Sequence, residues 1–91
     1  MRIKWLRTAL RNLDEEATYI ALDNEAAAQT VVARVMAAVA QLWPSNLASG
    51  DPVVPDTREL VVLKTRYIVP YRVRGDGVSI LWVFHTSRRL P

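Results

Sequence analysis

Residues 67–84, YIVPYRVRGDGVSILWVF, contain the pattern that decides the expected fold. Over residues 67–73, and again from 78 onward, large apolar side chains recur at every second position, which is the period of a β-strand with one buried face. Gly75-Asp76-Gly77 between the two runs favours the positive φ angles of a hairpin turn. Pro70 donates no ladder hydrogen bond, so its nitrogen should face an edge or a bulge. We expect two antiparallel strands whose inward side chains include Tyr67, Tyr71, Val78, Ile80, Trp82 and Phe84.

Two helices are predicted before this hairpin. Thr8 is a good N-cap for the first, and Asn24 can cap the second after the break at Asp23-Asn24. The apolar positions recur with helical spacing and predict one buried face on each helix. They are Ala9, Leu10, Leu13, Ala17, Ile20 and Ala21 in the first helix, and Ala28, Val31, Val32, Val35, Val39 and Leu42 in the second, which should end before Pro44.

Two further strands complete the expected sheet. Ile3 and Trp5 alternate with basic residues at the start of the chain, and Glu59 to Leu63 is predicted as another strand. Residues 44–57 contain prolines, a glycine and aspartates, which predicts a loop. The expected fold class is α+β in the order β-α-α-β-β-β, with the helical hairpin packed on one face of an antiparallel sheet.

Length and composition limit the classes of protein that remain. Ninety-one residues, 51% of them apolar and 23% charged, predict a single globular domain over 1–91. The chain has no cysteine and one histidine, which argues against disulfides, a thiol nucleophile or a metal site. It also lacks a Gly-rich phosphate loop, a Walker sequence and a dinucleotide fingerprint, so we expect no bound cofactor. The first residues carry too much charge for a signal peptide, and the uncharged stretches are too short to span a membrane. We expect a cytoplasmic protein without membrane contact.

Charge is divided sharply along the chain. The net charge is +4 over residues 1–13, −6 over 14–57 and +5 over 58–91. A basic final third favours an anionic partner, either nucleic acid or an acidic protein surface. The plainer interpretation is an ordinary solvated surface whose charges happen to be segregated.

The basic third also contains the candidates for chemistry. His85 lies near the end of the last predicted strand, where it is either a general base for a ribose 2′-hydroxyl or a structural strand residue. Arg72 and Arg74 are two apart on one strand, so their side chains project from the same face. Such a pair can bind phosphate or carboxylate, or it forms the polar outer face of the sheet.

The order of these segments resembles the RelE/ParE superfamily of bacterial toxins. The resemblance rests on TRELVV (57–62), YIVPYRV (67–73) and VFHTSRR (83–89), together with the opening strand and the helical hairpin. It implies the toxin of a type II toxin–antitoxin system, a growth inhibitor without a cofactor. It also implies a hetero-oligomeric complex in which an antitoxin protein covers and silences the toxin.

The superfamily resemblance implies two different targets. RelE-like members are ribosome-dependent endonucleases that cut mRNA, whereas ParE-like members bind and block DNA gyrase. The nuclease branch typically has a basic residue three positions before the tyrosine that matches Tyr71, and this chain has Ile68 there. Since Ile68 cannot stabilise a developing charge, the ParE-like function is favoured. A degenerate toxin that survives only as an antitoxin-bound module is a third possibility.

Candidate site residues follow from these two functions. As a gyrase inhibitor, the chain would contact its target through its exposed arginines. These are Arg58, Arg66, Arg72, Arg74, Arg88 and Arg89. As a nuclease, it would use His85 as the base, with Arg72 and Arg88 on the phosphate.

Overall fold

The computed structural model describes residues 2–42, 52–54, 57–75 and 77–88. The helices are α1 (Arg7–Ala21), α2 (Glu25–Ala40) and a 3-10 turn (Thr86–Arg88). The strands are β1 (Arg2–Trp5), β2 (Pro52–Val54), β3 (Thr57–Val62), β4 (Tyr67–Arg74), β5 (Gly77–Ile80) and β6 (Phe84–His85). Within these ranges, no helix is long and apolar enough to cross a bilayer.

The strands form one sheet in the order β1-β5-β4-β3-β2, and β6 pairs with β4 beyond the end of β5. The predicted fold class is confirmed. One pairing departs from it: β1 runs parallel to β5, with Ile3 opposite Val78, so the sheet is mixed. The prediction of a loop was wrong at residues 52–54, which pair with β3 as an edge strand. The rest of that predicted loop, except Thr57, lies outside the described residues.

The two helices begin in different ways. The prediction that Thr8 caps α1 was wrong, because the helix begins at Arg7 after an extended Leu6 that has no side-chain cap. The backbone N–H of Leu6 instead donates to the Ile80 carbonyl at 3.1 Å, so β1 leads directly into the helix. The prediction for α2 is confirmed, since the Asn24 Oδ1 accepts the Ala27 N–H at 3.0 Å.

The core lies between the helical hairpin and one face of the sheet. In β4, residues Tyr67, Val69 and Tyr71 are buried on this helix face, as the alternation predicted. Residues 68, 70, 72 and 74 therefore project to the opposite side, which we call the open face. Ile68 and Pro70 are also buried there, whereas Arg72 is half-buried and Arg74 is exposed. The other core residues are Ala9, Leu13, Val35, Val39, Leu42, Val62, Val78, Ile80 and Val83.

A bulge interrupts the strand that follows the hairpin turn. Tyr71 lies opposite Ile80 and Ile68 lies opposite Phe84, so three steps along β4 match four along its partner. The inward placement of Trp82 and Phe84 was therefore wrong: Trp82 is 44% exposed, and Val83 enters the core instead. Pro70 faces this bulge as predicted, because its carbonyl accepts the Leu81 N–H at 2.9 Å and its nitrogen points to the same side.

Candidate functional site

A concavity on the described surface has a volume of about 600 Å³. It is bounded by the helical hairpin, the β3–β4 turn and the segment after the bulge. Two predicted site residues, Arg66 and His85, meet in its wall. The remaining lining residues are Tyr19, Ile20, Val31, Thr65, Tyr67 and Ser87.

The bulge places His85 in this pocket. Because of the extra residue, His85 lies opposite Tyr67 and so on the helix face of the sheet. The two rings meet edge to face, with centroids 5.2 Å apart. The Tyr67 hydroxyl in turn donates to the Glu16 Oε1 at 2.9 Å, which ties the pocket wall to α1. Without the bulge, strict alternation of inward and outward side chains would place Phe84 inward and the His85 imidazole on the open face.

Ser87 determines which nitrogen of His85 carries the proton. The Ser87 backbone N–H donates to His85 Nδ1 at 3.1 Å, and the Ser87 Oγ lies 2.6 Å from the same nitrogen. Since a backbone N–H can only donate, Nδ1 is the acceptor and the neutral imidazole has its proton on Nε2. The basic lone pair of His85 is thus engaged by Ser87, and the ring offers an N–H donor at Nε2.

The β3–β4 turn positions Arg66. Lys64 has a φ of 65°, in the left-handed region, and its carbonyl accepts from the Arg34 Nη1 of α2 at 3.1 Å. The Thr65 hydroxyl donates to the Val62 carbonyl at 2.7 Å and accepts the Tyr67 N–H at 3.1 Å. The Arg66 carbonyl accepts the Thr86 N–H at 2.8 Å. These bonds hold the turn while the Arg66 side chain stays exposed at the pocket rim.

Arg72 and Arg74 lie away from this pocket. Both project from the open face, and Arg72 lies opposite Thr57 and Ser79. Arg72 is also five residues along β4 from Tyr67, the partner of His85, which is about 17 Å along a strand. The structure therefore does not bring His85 and Arg72 together.

The remaining predicted residues lie elsewhere. Arg58 lies opposite Tyr71 in β3, on the helix face beside the edge strand β2. Arg88 ends the 3-10 turn, and Arg89 lies outside the described residues. Among the residues described, no group of three or more histidine, aspartate and glutamate side chains is placed to hold a metal ion.

Several pocket residues were missed by sequence reasoning. Tyr19, Thr65 and Ser87 line the pocket, and Glu16 bonds to its wall through Tyr67. The sequence has no specific signal for Ser87, because the backbone N–H that bonds to His85 Nδ1 is one that any residue except proline would supply there. Tyr19 belongs to the helical hairpin, which the sequence does not orient on the sheet.

Comparison with known proteins defines the class of fold first. A chain in a solved structure of the chromosomal ParDE TA system from P. aeruginosa is 28% identical to this one, with a TM-score of 0.81. The match covers 93% of this chain and 95% of that chain. The fold is therefore that of the RelE/ParE toxins.

The sequence comparisons identify the branch. The family model for the ParE toxin of the type II toxin-antitoxin system parDE matches residues 3–90. A protein of Sinorhizobium fredii (strain NBRC 101917 / NGR234), named "Putative toxin Y4kP", is 46% identical over 93 residues, covering 99% of this chain and 93% of that protein. The chain belongs to the ParE toxin family. It is a ParE-type toxin of a toxin–antitoxin system, and the family supports an antitoxin as its partner.

Proposed function

We propose that this toxin inhibits growth by binding DNA gyrase in the cytoplasm, without chemistry of its own. The observation that carries the proposal is the match to the ParE family over residues 3–90, since the ParE branch is the one that blocks gyrase. In this function the protein acts as a binding module. Its surface must recognise the target, and the antitoxin must prevent that recognition.

The geometry of the pocket supports a binding role. A general base must direct an unprotonated nitrogen at the hydroxyl that it activates. In His85 that nitrogen already accepts from Ser87, and Arg72 lies on the other face of the sheet. The pocket offers hydrogen-bond donors from Arg66 and His85 Nε2 beside the apolar side chains of Ile20 and Val31. Such a lining suits an acidic or carbonyl-bearing side chain of a protein partner.

A supercoiling assay tests the proposal directly. Purified full-length toxin, freed of antitoxin, is added to DNA gyrase and relaxed plasmid, and the products are resolved with and without protease. We expect loss of supercoiling and accumulation of linear, protein-linked DNA. Adding the antitoxin first serves as the control, since it should restore supercoiling. Full supercoiling at a large toxin excess would overturn the proposal and direct attention to His85 and mRNA cleavage on translating ribosomes.

A further inference from the structure

The open face of the sheet carries a second group of basic residues, separate from the pocket. Lys4 of β1 and Arg72 of β4 both lie opposite Ser79 of β5, one from each side. Arg2 and Arg74 occupy the equivalent positions on either side of Gly77. The described basic side chains, those of Lys4, Arg72 and Arg74, thus flank β5 on both sides, and Arg2 marks the fourth corner by its backbone position only. We call the face bounded by these corners the basic trough.

The dimensions of the basic trough follow from strand geometry. Lys4 and Arg72 are two strand spacings apart, which is about 10 Å, and Arg72 and Arg74 are two residues apart, which is about 7 Å. Between them, Gly77 and Ser79 are the smallest residues on β5, so the floor is low. Lys4 and Arg74 are exposed, and Arg72, Gly77 and Ser79 are half-buried. An elongated anionic chain can lie along β5 with cations on both sides.

The residues that alternate with the basic positions along β1 and β5 show that the basic trough lies on the open face. Ile3, Trp5, Val78 and Ile80 pack against the helix-face core. Lys4 and Ser79 alternate with them and therefore project to the open face. Glu59 is the acidic residue of the described open face, and it lies opposite Pro70 on β3, one strand beyond β4. Glu59 therefore lies two strands away from β5, the strand along which the trough runs.

We propose that the basic trough binds the phosphodiester backbone of a nucleic acid. A backbone of this kind carries one charge per unit, which Lys and Arg side chains neutralise while small polar side chains such as serine add hydrogen bonds. An acidic peptide that binds a sheet usually adds to an edge and uses main-chain hydrogen bonds. Both edges of β5 are already paired, with β1 and β4, so the floor of the trough provides side chains, and the nearest free strand edge is the outer side of β1. Charge and topology together favour the nucleic acid.

A second observation marks Arg72 as a group with unused donor capacity. Its Nε is buried and has no hydrogen-bond partner among the described residues, and the same holds for the Oγ1 of its cross-strand neighbour Thr57. Buried polar groups normally find partners. The Nε itself is closed to solvent, but an anion bound beside this half-buried guanidinium would offset, by its charge, part of the cost of the unsatisfied donor.

Fluorescence anisotropy with labelled oligonucleotides tests the proposal. The full-length, antitoxin-free toxin is titrated into a DNA duplex, a DNA single strand and an RNA of the same sequence, at salt concentrations from about 50 to about 200 mM. Comparing the three probes shows whether the trough binds the phosphodiester backbone of duplex DNA, single-stranded DNA or RNA. We expect binding that weakens steeply with salt, and Lys4→Glu should weaken it by about tenfold or more and reduce the salt slope.

The control separates a localised site from overall charge. Arg11→Glu changes the net charge by the same amount at an exposed position on α1, and it should alter binding by no more than about twofold. Ser79→Asp, which places a carboxylate on the floor of the trough, should act like Lys4→Glu, whereas Thr18→Asp on α1 should not. Circular dichroism confirms that each variant is folded.

Two results would overturn the proposal. If Lys4→Glu and Arg11→Glu weaken oligonucleotide binding equally, the attraction comes from overall charge, and the basic trough is not a localised site. Absence of binding to all three probes at low salt, with Lys4→Glu instead weakening the antitoxin complex, would assign the face to an acidic protein. Either result is independent of the gyrase assay, because these titrations contain no gyrase.

Discussion

At the scale of single residues, His85 shows how a local hydrogen bond changes the role of a side chain. The Ser87 backbone N–H occupies Nδ1, so the neutral ring acts toward the pocket as a donor through Nε2. A donor can hold a partner's carbonyl or carboxylate, whereas activation of a hydroxyl requires the occupied nitrogen. The same histidine thus suits recognition better than proton abstraction.

His85→Ala tests this role in the gyrase assay. We expect inhibition to change by no more than a few-fold, because the imidazole contributes at most a contact to the partner. Loss of a general base would instead lower activity by ~10²-fold or more. Thermal unfolding of the variant should be followed in parallel, since the edge-to-face contact with Tyr67 contributes about 1 kcal/mol. A fall in gyrase inhibition of ~10²-fold or more, in a variant that remains folded, would contradict a binding role for His85.

Arg88 and Arg89 are predicted to contribute to target binding by charge. Replacing both with glutamate should weaken gyrase inhibition by about tenfold or more, which corresponds to about 1.4 kcal/mol of binding free energy. Arg7→Glu combined with Arg11→Glu is the matched control, since it reverses two exposed arginines of α1. Equal inhibition constants for the two double variants would remove Arg88 and Arg89 from the interface.

At the scale of elements, the start of α2 depends on one amide side chain. Asn24 satisfies the Ala27 N–H, which otherwise has no intrahelical partner. Asn24→Ala should therefore lower the free energy of unfolding by about 1 kcal/mol, while Asn24→Asp should preserve it, because a carboxylate accepts the same bond. Urea denaturation measures the unfolding free energy of both variants, provided that its dependence on urea concentration is the same for each. Identical midpoints for the alanine and aspartate variants would show that the cap contributes nothing.

Burial of one helix face should dominate the stability of α2. Val35 is fully buried against the sheet, whereas Val61 of β3 is 59% exposed. Val35→Ala removes two buried methyl groups and leaves a cavity, so it should cost about 2 kcal/mol. Val61→Ala makes the same chemical change and should cost less than about 0.5 kcal/mol. If the two variants lose similar amounts of unfolding free energy in urea denaturation, Val35 does not lie in the core.

The elements also show where sequence reasoning reaches its limit. The alternation in β4 was predictable because arginines mark its outward positions, and the Asn24 cap was predictable from the helix period. The bulge was not predictable, because residues 80–84 are all apolar and fit either register. That one extra residue decides the face of His85, so the face of this site residue could not be predicted. The parallel pairing of β1 is a contact between distant segments, which local patterns do not report.

At the scale of the whole molecule, the separation of charge along the chain should affect how the antitoxin associates. A basic final third attracts an acidic partner over distances of about one Debye length, which falls from about 10 Å at 0.1 M salt to about 3 Å at 1 M. Stopped-flow mixing over this range should show an association rate that falls by tenfold or more, with a dissociation rate that changes much less. A salt-independent association rate would contradict this view.

The parallel pairing of β1 with β5 has a consequence for the order of events during protein synthesis. Ile3 lies opposite Val78, so the ribosome must add 75 residues before the partner of the first strand exists. At ordinary elongation rates this interval is roughly 4 to 15 s. The basic trough, which needs β1, β5 and β4 side by side, is assembled only after that delay. A nascent toxin therefore lacks this surface throughout that interval and can present it to a partner only once β5 has been made.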